Sequence, residues 1–360
     1  MSVPRLMVMA GGTGGHVYPA LAVAEQWRKS GGDVVWLGTK AGIEARLVPQ
    51  YDIPIEWISI SGLRGKGRIG LLLAPVRLGW ALLQSLYAII KCKPQVVLGM
   101  GGFASGPGGV ASWILRKPLL IHEQNGVSGM TNRILSHFST LILEGFPNTF
   151  PANKKVIYVG NPLRSTLAEV PPIKESSEPS PLRLLVLGGS LGAQALNQIV
   201  PKLVTKIGKD IELLHQTGEK NFENTVLDYA GLNGDQNREE LRVVPYIDDM
   251  DRAYSWADLV ICRAGAMTVA ELAVVGRASI LVPFPYAVDD HQTSNGNFLV
   301  ESGAALMIQQ KDLELDRLEL IVRDFISNRD ALIKMSKRAH KLAIFDATKR
   351  VTDLCMRYLK

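Results

Sequence analysis

Three glycine-rich loops, each following a short apolar run, hold the residue types that can meet a phosphate. They are Gly11-Gly12-Thr13-Gly14-Gly15, followed at once by His16; Gly99-Met100-Gly101-Gly102-Phe103-Ala104-Ser105-Gly106-Pro107-Gly108-Gly109; and Gly188-Gly189-Ser190-Leu191-Gly192. Backbone amides at a helix N-terminus carry partial positive charge and bind an anion without a lysine. Plain tight turns satisfy the same pattern, so one such loop decides little and three decide more. None continues into Gly-Lys-Ser/Thr, which excludes a Walker A loop, and only Gly99-x-Gly101-x-x-Ala104 approaches a dinucleotide fingerprint, in mid-domain rather than at the first strand. A nicotinamide or flavin enzyme is therefore the weaker reading. Asp249-Met250-Asp251 has the spacing with which sugar transferases hold a metal and a nucleotide diphosphate, but IDDMDRAYSWADLV reads better as a turn and helix cap. Asp289-Asp290-His291 lacks a second cluster at ligand spacing. No metal and no cofactor is expected.

The elements that must position these loops are legible as two copies of one opening unit: apolar strand, glycine loop, helix. LMVMA-GGTGG-HVYPALAVAEQW opens the first half, with Leu21, Ala24 and Trp27 at helical spacing, and LRLLVLGGSLGAQALNQIVPKLV opens the second. Further near-continuous apolar runs at 34–37, 95–98, 119–121, 140–143, 156–159, 212–216, 259–262 and 279–282 suit strands buried on both faces of a parallel sheet. The fold class is α/β, with two doubly wound, Rossmann-like domains. NPLRSTLAEVPPIKESSEPSPLR, rich in Pro, Ser and charge, is the natural linker, and the chain from about Asp316 reads as surface helices.

With 360 residues and 47% hydrophobic content, two packed domains are affordable. MSVPRLMVMAGG is too short in its apolar part for a signal peptide, so a cytoplasmic protein is expected. Cys92, Cys262 and Cys355 have no CxxC spacing and read as reduced core residues. The net charge of +6 is local: between Trp57 and His122 there is no Asp or Glu, while Arg64, Lys66, Arg68, Arg77, Lys91, Lys93, Arg116 and Lys117 give +8. Such a patch meets something anionic, here a membrane surface rather than a nucleic acid, because residues 69–90 inside it carry a single charge. Pro75 starts the helix late, leaving roughly 24 Å to Lys91, short of the roughly 30 Å hydrocarbon core. A buried core helix and a helix docked on a membrane surface both fit better than a true span.

GGTGGH at 11–16, GMGGFASGPGG at 99–109, HEQN at 122–125, GNPLR at 160–164, GGSLGA at 188–193, CRAGAMTVAELA at 262–273 and DDHQTSN at 289–295 closely resemble the MurG family of bacterial transferases, glycosyltransferase family 28. That family moves N-acetylglucosamine from UDP-N-acetylglucosamine (UDP-GlcNAc) to lipid I, undecaprenyl-pyrophosphoryl-N-acetylmuramyl-pentapeptide, giving lipid II for peptidoglycan. The resemblance implies a GT-B fold, two Rossmann-like domains facing across a cleft. Residues 1–163, joined by a helix at about 341–360, would form the acceptor- and membrane-facing domain, and 164–340 the UDP-GlcNAc domain. It also implies a metal-independent, inverting transfer to the 4-hydroxyl of the muramyl sugar, at the cytoplasmic face of the bacterial membrane, peripherally, beside other cell-wall synthesis proteins. A diacylglycerol glycosyltransferase of related fold, or a scaffold that keeps the fold without turnover, are the rivals, and the acceptor-side motifs and intact site residues speak against them.

Carried over motif by motif, the resemblance places Ser190 and Arg164 at the donor diphosphate and gives uracil the backbone of Ile247. Ala266, Met267, Thr268, Val269 and Ala270 would form the loop and helix start at the leaving phosphate, and Glu271 would accept from the ribose hydroxyls. His291 and Gln292 would bind the donor sugar, with Asn125 reaching it from the other domain. Thr13, Gly14 and Gly15 would border the acceptor's pyrophosphate and sugar. Inversion needs a proton acceptor. His16 is the first candidate, since a helix N-terminus disfavours the imidazolium and keeps the ring basic near neutrality; it could equally position acceptor or pyrophosphate. His122 and Glu123 compete for the same role. Phe103 stands where some relatives carry Tyr, which removes any role for that hydroxyl.

Overall fold

The computed structural model describes residues 3–62, 73–173, 180–189, 192–231 and 240–359. The chain divides into two compact units, Met1–Arg164 with Ile344–Lys360, and Ser165–Ala343.

The described strands of the first unit are β1 (Arg5–Met9), β2 (Asp33–Gly38), β3 (Ile55–Trp57), β4 (Val96–Gly99), β5 (Leu119–Glu123), β6 (Leu141–Glu144) and β7 (Val156–Tyr158). They form one parallel sheet in the order β3-β2-β1-β4-β5-β6-β7. Both faces are covered, which is why β1 reads as an unbroken apolar run. Leu6 and Val8 pack with Val17, Trp27 and Trp36 on one side, and Met7 and Met9 with Ile89 and Ile121 on the other. The strand order reverses between β1 and β4, and a doubly wound sheet opens its ligand crevice at the carboxyl ends of the strands flanking such a reversal. The first two glycine loops follow β1 and β4.

The helix Ala347–Met356 belongs to this unit. Val351, Leu354 and Cys355 complete the same core as Val17 and Trp27, and Thr348 Oγ1 donates to the Leu163 carbonyl at 2.9 Å. That bond also ties down the chain near Arg164, where the unit's first segment ends.

In the second unit β8 (Leu182–Leu187), β9 (Ile211–Gln216), β10 (Leu241–Val244), β11 (Leu259–Cys262), β12 (Ala278–Leu281) and β13 (Ala305–Met307) form a parallel sheet ordered β10-β9-β8-β11-β12-β13. The reversal lies between β8 and β11. The third glycine loop follows β8, and Arg263-Ala264-Gly265 leads from β11 into the helix Ala266–Val275.

The apolar stretch of the basic region forms the helix Ala74–Cys92, with Pro75 in its first turn. Its inward face is made of small residues: Ala74, Ala81, Ser85, Ala88 and Cys92, with Ile89. Its large apolar residues point outward, with Val76, Trp80, Leu83, Tyr87 and Ile90 all more than half exposed. Spaced four, three, four and three apart, they lie on one stripe of the helix. A purely buried core helix is therefore not what forms. Among the described residues no helix is long and apolar enough to cross a membrane. Arg64, Lys66, Arg68 and residues 69–72 lie outside the described residues. The three cysteines are buried and free.

Candidate active site

In the first unit, most of the glycines that looked built for a ligand's approach make room for the protein itself. A Cβ on Gly11 would lie 2.5 Å from Oε1 of Glu44, and one on Gly42 would collide with the same carboxylate. Glu44 is fully buried. It accepts from the Gly12 amide at 2.9 Å and from the amide and hydroxyl of Thr39 at 3.0 and 2.7 Å. Gly102, at φ +84°, has no room for a Cβ, which would sit 2.2 Å from the Gly11 carbonyl oxygen. Gly101, at φ +94°, faces the His16 ring: a Cβ there would fall 2.7 Å from Cδ2 and 3.0 Å from Nε2. The second loop thus closes against the first. Ser105 Oγ, within reach of both the Met9 carbonyl at 2.9 Å and the Gly101 carbonyl at 2.8 Å, fastens them further. A Cβ on Gly12 would meet nothing within 4 Å, and one on Gly15 or Gly106 only a single side-chain atom, Thr13 Oγ1 at 3.8 Å or Thr131 Cγ2 at 3.7 Å. A ligand can approach the backbone there.

Thr13 is the N-cap of the helix Gly14–Lys29 without a side-chain capping bond; its Oγ1 lies 3.3 Å from His16 Nδ1. That nitrogen is also 3.3 Å from the Gly11 carbonyl. The tautomer with Nδ1–H donating to this carbonyl puts the lone pair on Nε2, on the ring edge that faces Gly101.

His122 and Glu123 have other places. His122 is fully buried, Nε2–H donates to the Gly160 carbonyl at 2.9 Å, and burial pushes the ring down from 6.5 to about 4. Such a ring is locked in its neutral form inside the sheet. The Glu123 carboxylate is 3% exposed and accepts four bonds: from the amide and side chain of Asn125 at 3.1 and 3.2 Å, from Gly129 N at 3.0 Å and from Asn132 Nδ2 at 2.9 Å. It organises the loop after β5, and Gln124 Nε2 ties that loop to the Met100 carbonyl at 2.8 Å. Three loops at the carboxyl ends of β1, β4 and β5 are therefore interlocked.

In the second unit the helix Ala266–Val275 presents Met267, Thr268, Ala270 and Glu271 half-exposed, while Val269 and Leu272 are buried. Glu271 Oε2 accepts from the Tyr254 hydroxyl at 2.9 Å. Asn295 Nδ2 donates to the Ala264 carbonyl at 3.3 Å, bringing the helix His291–Val300 to that loop. Gln292 Oε1 accepts the Phe284 amide at 2.8 Å, which leaves its NH2 end as donor, and His291 Nδ1–H donates to the Val288 carbonyl at 2.7 Å. Arg263 links the loops after β12 and β13 through the Val282 carbonyl and Gln310 Oε1, with its guanidinium 5.5 Å from the Phe284 ring centre. Ile247 sits half-buried in the turn after β10, and Gly218 N, donating to the Pro245 carbonyl at 3.1 Å, ties that turn to the one after β9. Asp249 caps the helix Met250–Trp256, accepting the Arg252 amide at 3.0 Å. Among the described residues no group of three or more His, Cys, Asp or Glu is placed to hold a metal ion. Ser190 lies outside the described residues.

Residues 6–143 match the glycosyltransferase family 28 N-terminal domain and residues 183–351 the glycosyltransferase family 28 C-terminal domain. A UDP-N-acetylglucosamine–N-acetylmuramyl-(pentapeptide) pyrophosphoryl-undecaprenol N-acetylglucosamine transferase of Methylococcus capsulatus is 48% identical over 354 residues, 98% of both chains. The enzyme of that name from Shewanella denitrificans is 46% identical, over 98% of this chain and 96% of its own. The chain belongs to glycosyltransferase family 28, among the MurG enzymes. The crystal structure of Acinetobacter baumannii MurG superposes with a TM-score of 0.82 at 40% identity, covering 98% of this chain and 99% of the other. A glycosyltransferase of kitacinnamycin, 16% identical with a TM-score of 0.75 over the full length of both chains, shares the fold alone. The two Rossmann-like units are those of the GT-B class.

Against the family pattern, Thr13, Gly14, Gly15 and His16 meet at one helix start, while Glu123 and Asn125 share one loop. Residues 266–271, His291 and Gln292 lie on two helices that Asn295 joins through Ala264. Arg164, at the end of the first unit's first segment, opposes the burial and the Glu25 charge that raise the Tyr51 phenol. Glu44 and Tyr254 were missed. The bonds that tie them to the site, Gly12 to Glu44 and Tyr254 to Glu271, span 32 and 17 positions, and no spacing rule reaches that far.

Proposed function

We propose that this chain transfers N-acetylglucosamine from UDP-GlcNAc to lipid I and releases lipid II and UDP. The observation that carries this is full-length identity of 46–48% to enzymes named for that transfer, spanning both glycine-lined crevices. In this reading the second unit holds the donor. The amides of residues 266–268 face the diphosphate at a helix N-terminus, Glu271 accepts from the ribose, Ile247 lends its backbone to uracil, and His291 with the Gln292 amide bind the sugar; Ser190 and Arg164 serve the diphosphate.

The first unit takes the acceptor. Gly12 and Gly15, the uncrowded glycines of the first loop, admit the pyrophosphate and muramyl sugar beside Thr13 and Gly14. His16 Nε2 takes the proton of the 4-hydroxyl as its oxygen attacks the anomeric carbon from the face opposite UDP. The bond from that carbon to the phosphate oxygen breaks with its electron pair staying on UDP, which inverts the centre. Glu123 acts as a positioning residue for Asn125, which reaches the donor sugar. The transfer takes place on a membrane surface. The outward stripe Val76, Trp80, Leu83, Tyr87 and Ile90, flanked by Arg77 and Lys91, supports peripheral docking on an anionic leaflet. The helix Ser105–Ile114, which packs on the helix Ala74–Cys92, ends in exposed Trp113 and Ile114.

The test is incubation with radiolabelled UDP-GlcNAc and a lipid I analogue, where labelled lipid and released UDP are expected and their absence overturns the assignment. In the same assay His16→Ala should lower kcat by about 10²–10⁴-fold while leaving the donor KM within about twofold. Near-normal turnover would remove His16 from the chemistry.

A further inference from the structure

Tyr254 is fully buried in the second unit, yet it is held at both ends by polar contacts. Its hydroxyl donates to Glu271 Oε2 at 2.9 Å, the single carboxylate of the helix Ala266–Val275. Its main-chain carbonyl accepts from Nε of Arg277 at 2.7 Å. Arg277 is itself 1% exposed, and its remaining nitrogens donate to the Val275 and Pro171 carbonyls, both at 2.8 Å. The Asp249 cap fixes the start of the helix Met250–Trp256, from which the tyrosine projects.

A half-exposed glutamate with three rotatable bonds samples several rotamers in solution, and ordering it costs on the order of 1 kcal/mol. A hydroxyl bound to a carboxylate is a charge-assisted bond, stronger than a neutral one. It meets that cost before any ligand arrives, which is preorganisation. We propose that Tyr254 is a positioning residue that presets the Glu271 carboxylate for the vicinal hydroxyls of the ribose of a nucleoside diphosphate. This rests on the reading of Glu271 as the ribose acceptor. A carboxylate accepts about four hydrogen bonds, so the Tyr254 bond and ribose binding are compatible. The buried Arg277 anchor makes Tyr254 a rigid support, and the selectivity for ribose over deoxyribose resides in the pair.

The test is calorimetric binding of UDP and of 2′-deoxy-UDP, which needs neither acceptor nor turnover. The parent protein is expected to prefer UDP, and Glu271→Gln to abolish the preference. Tyr254→Phe, which removes one oxygen from an otherwise intact ring, should reduce the preference about three- to tenfold by weakening UDP while leaving 2′-deoxy-UDP within about twofold. A merely structural tyrosine would weaken both ligands alike, and an unchanged ratio overturns the proposal. If Glu271→Gln keeps the preference, the ribose reading falls and the proposal with it. If Glu271→Gln abolishes the preference and Tyr254→Phe does not alter it, only the proposal falls. Glu271→Asp, which withdraws the carboxylate from Tyr254 by one methylene without touching the buried ring, serves as the second variant. It should lose the preference too, and retention again overturns the proposal.

Discussion

Acidification from pH 7.5 to 5.0 should loosen both units through one buried histidine each. Burial depresses His122 from 6.5 to about 4, and His215 from 6.5 to about 3. The bonds of His215 suit a neutral ring: Nδ1 accepts from the Tyr229 hydroxyl at 2.9 Å, and Nε2–H donates to Asn197 Oδ1 at 3.1 Å. His122 Nδ1 finds no hydrogen-bond partner among the described residues. Each ring is neutral in the folded chain and charged in the unfolded chain below its ordinary value. Its stabilising share is thus complete above pH 6.5 and lost as pH falls, until the folded ring itself titrates. At pH 5.0 the unfolded ring is almost wholly protonated and the folded one is not, so each site costs about 2 kcal/mol relative to pH 7.5. Hydrogen exchange read by mass spectrometry on peptides from β5 and β9 reports the two units separately. His122→Gln keeps a donor for the Gly160 carbonyl and should remove the pH dependence of β5 alone; His215→Gln should do so for β9 alone. Comparing variant with parent isolates one ring from the other histidines. Opening energies that change by less than about 0.5 kcal/mol between the two pH values would refute the argument.

Two further outcomes rest on contacts already described. Gly102→Ala should lower the melting temperature and abolish turnover together, because a positive φ and the Gly11 carbonyl at 2.2 Å both oppose a Cβ, whereas Gly15→Ala should leave the melt unchanged and raise the acceptor KM; equal melts for the two would show the loops are not in contact. Sedimentation with anionic liposomes at low salt should carry the protein down and release it as salt rises, and Trp80→Glu with Leu83→Glu should abolish binding; no binding by the parent chain would sink the docking reading.

The parallel sheets, the position of the glycine loops after strands and the two-unit division all follow from patterns written locally in the chain: apolar runs, glycine turns and a Pro/Ser-rich linker. What the glycines accommodate was not legible. Gly11 and Gly42 leave space for Glu44, and Gly101 for His16, and these are encounters set by the folded crossing of loops. HEQN was read as a pair of possible bases. It lies at the end of a central strand whose residues are all buried, where desolvation outweighs any catalytic use of His122 and four donors occupy Glu123. For the helix Ala74–Cys92 the sequence leaves a buried and a docked helix both open, since its mean hydropathy says nothing about which face holds the small residues.

The first unit is built from two separated pieces of chain, with Val351, Leu354 and Cys355 lying in its core beside Val17 and Trp27. The second unit is continuous, from Ser165 to Ala343. On the ribosome this reverses the ordinary order of folding, in which the domain made first settles first. The unit carrying His16 must wait, its sheet incompletely covered, until residues 347–356 have emerged, by which time the second unit has all its residues. A chain released before that point would carry an intact second unit and an open first one, so truncated translation products should be recognised by proteases as unfinished.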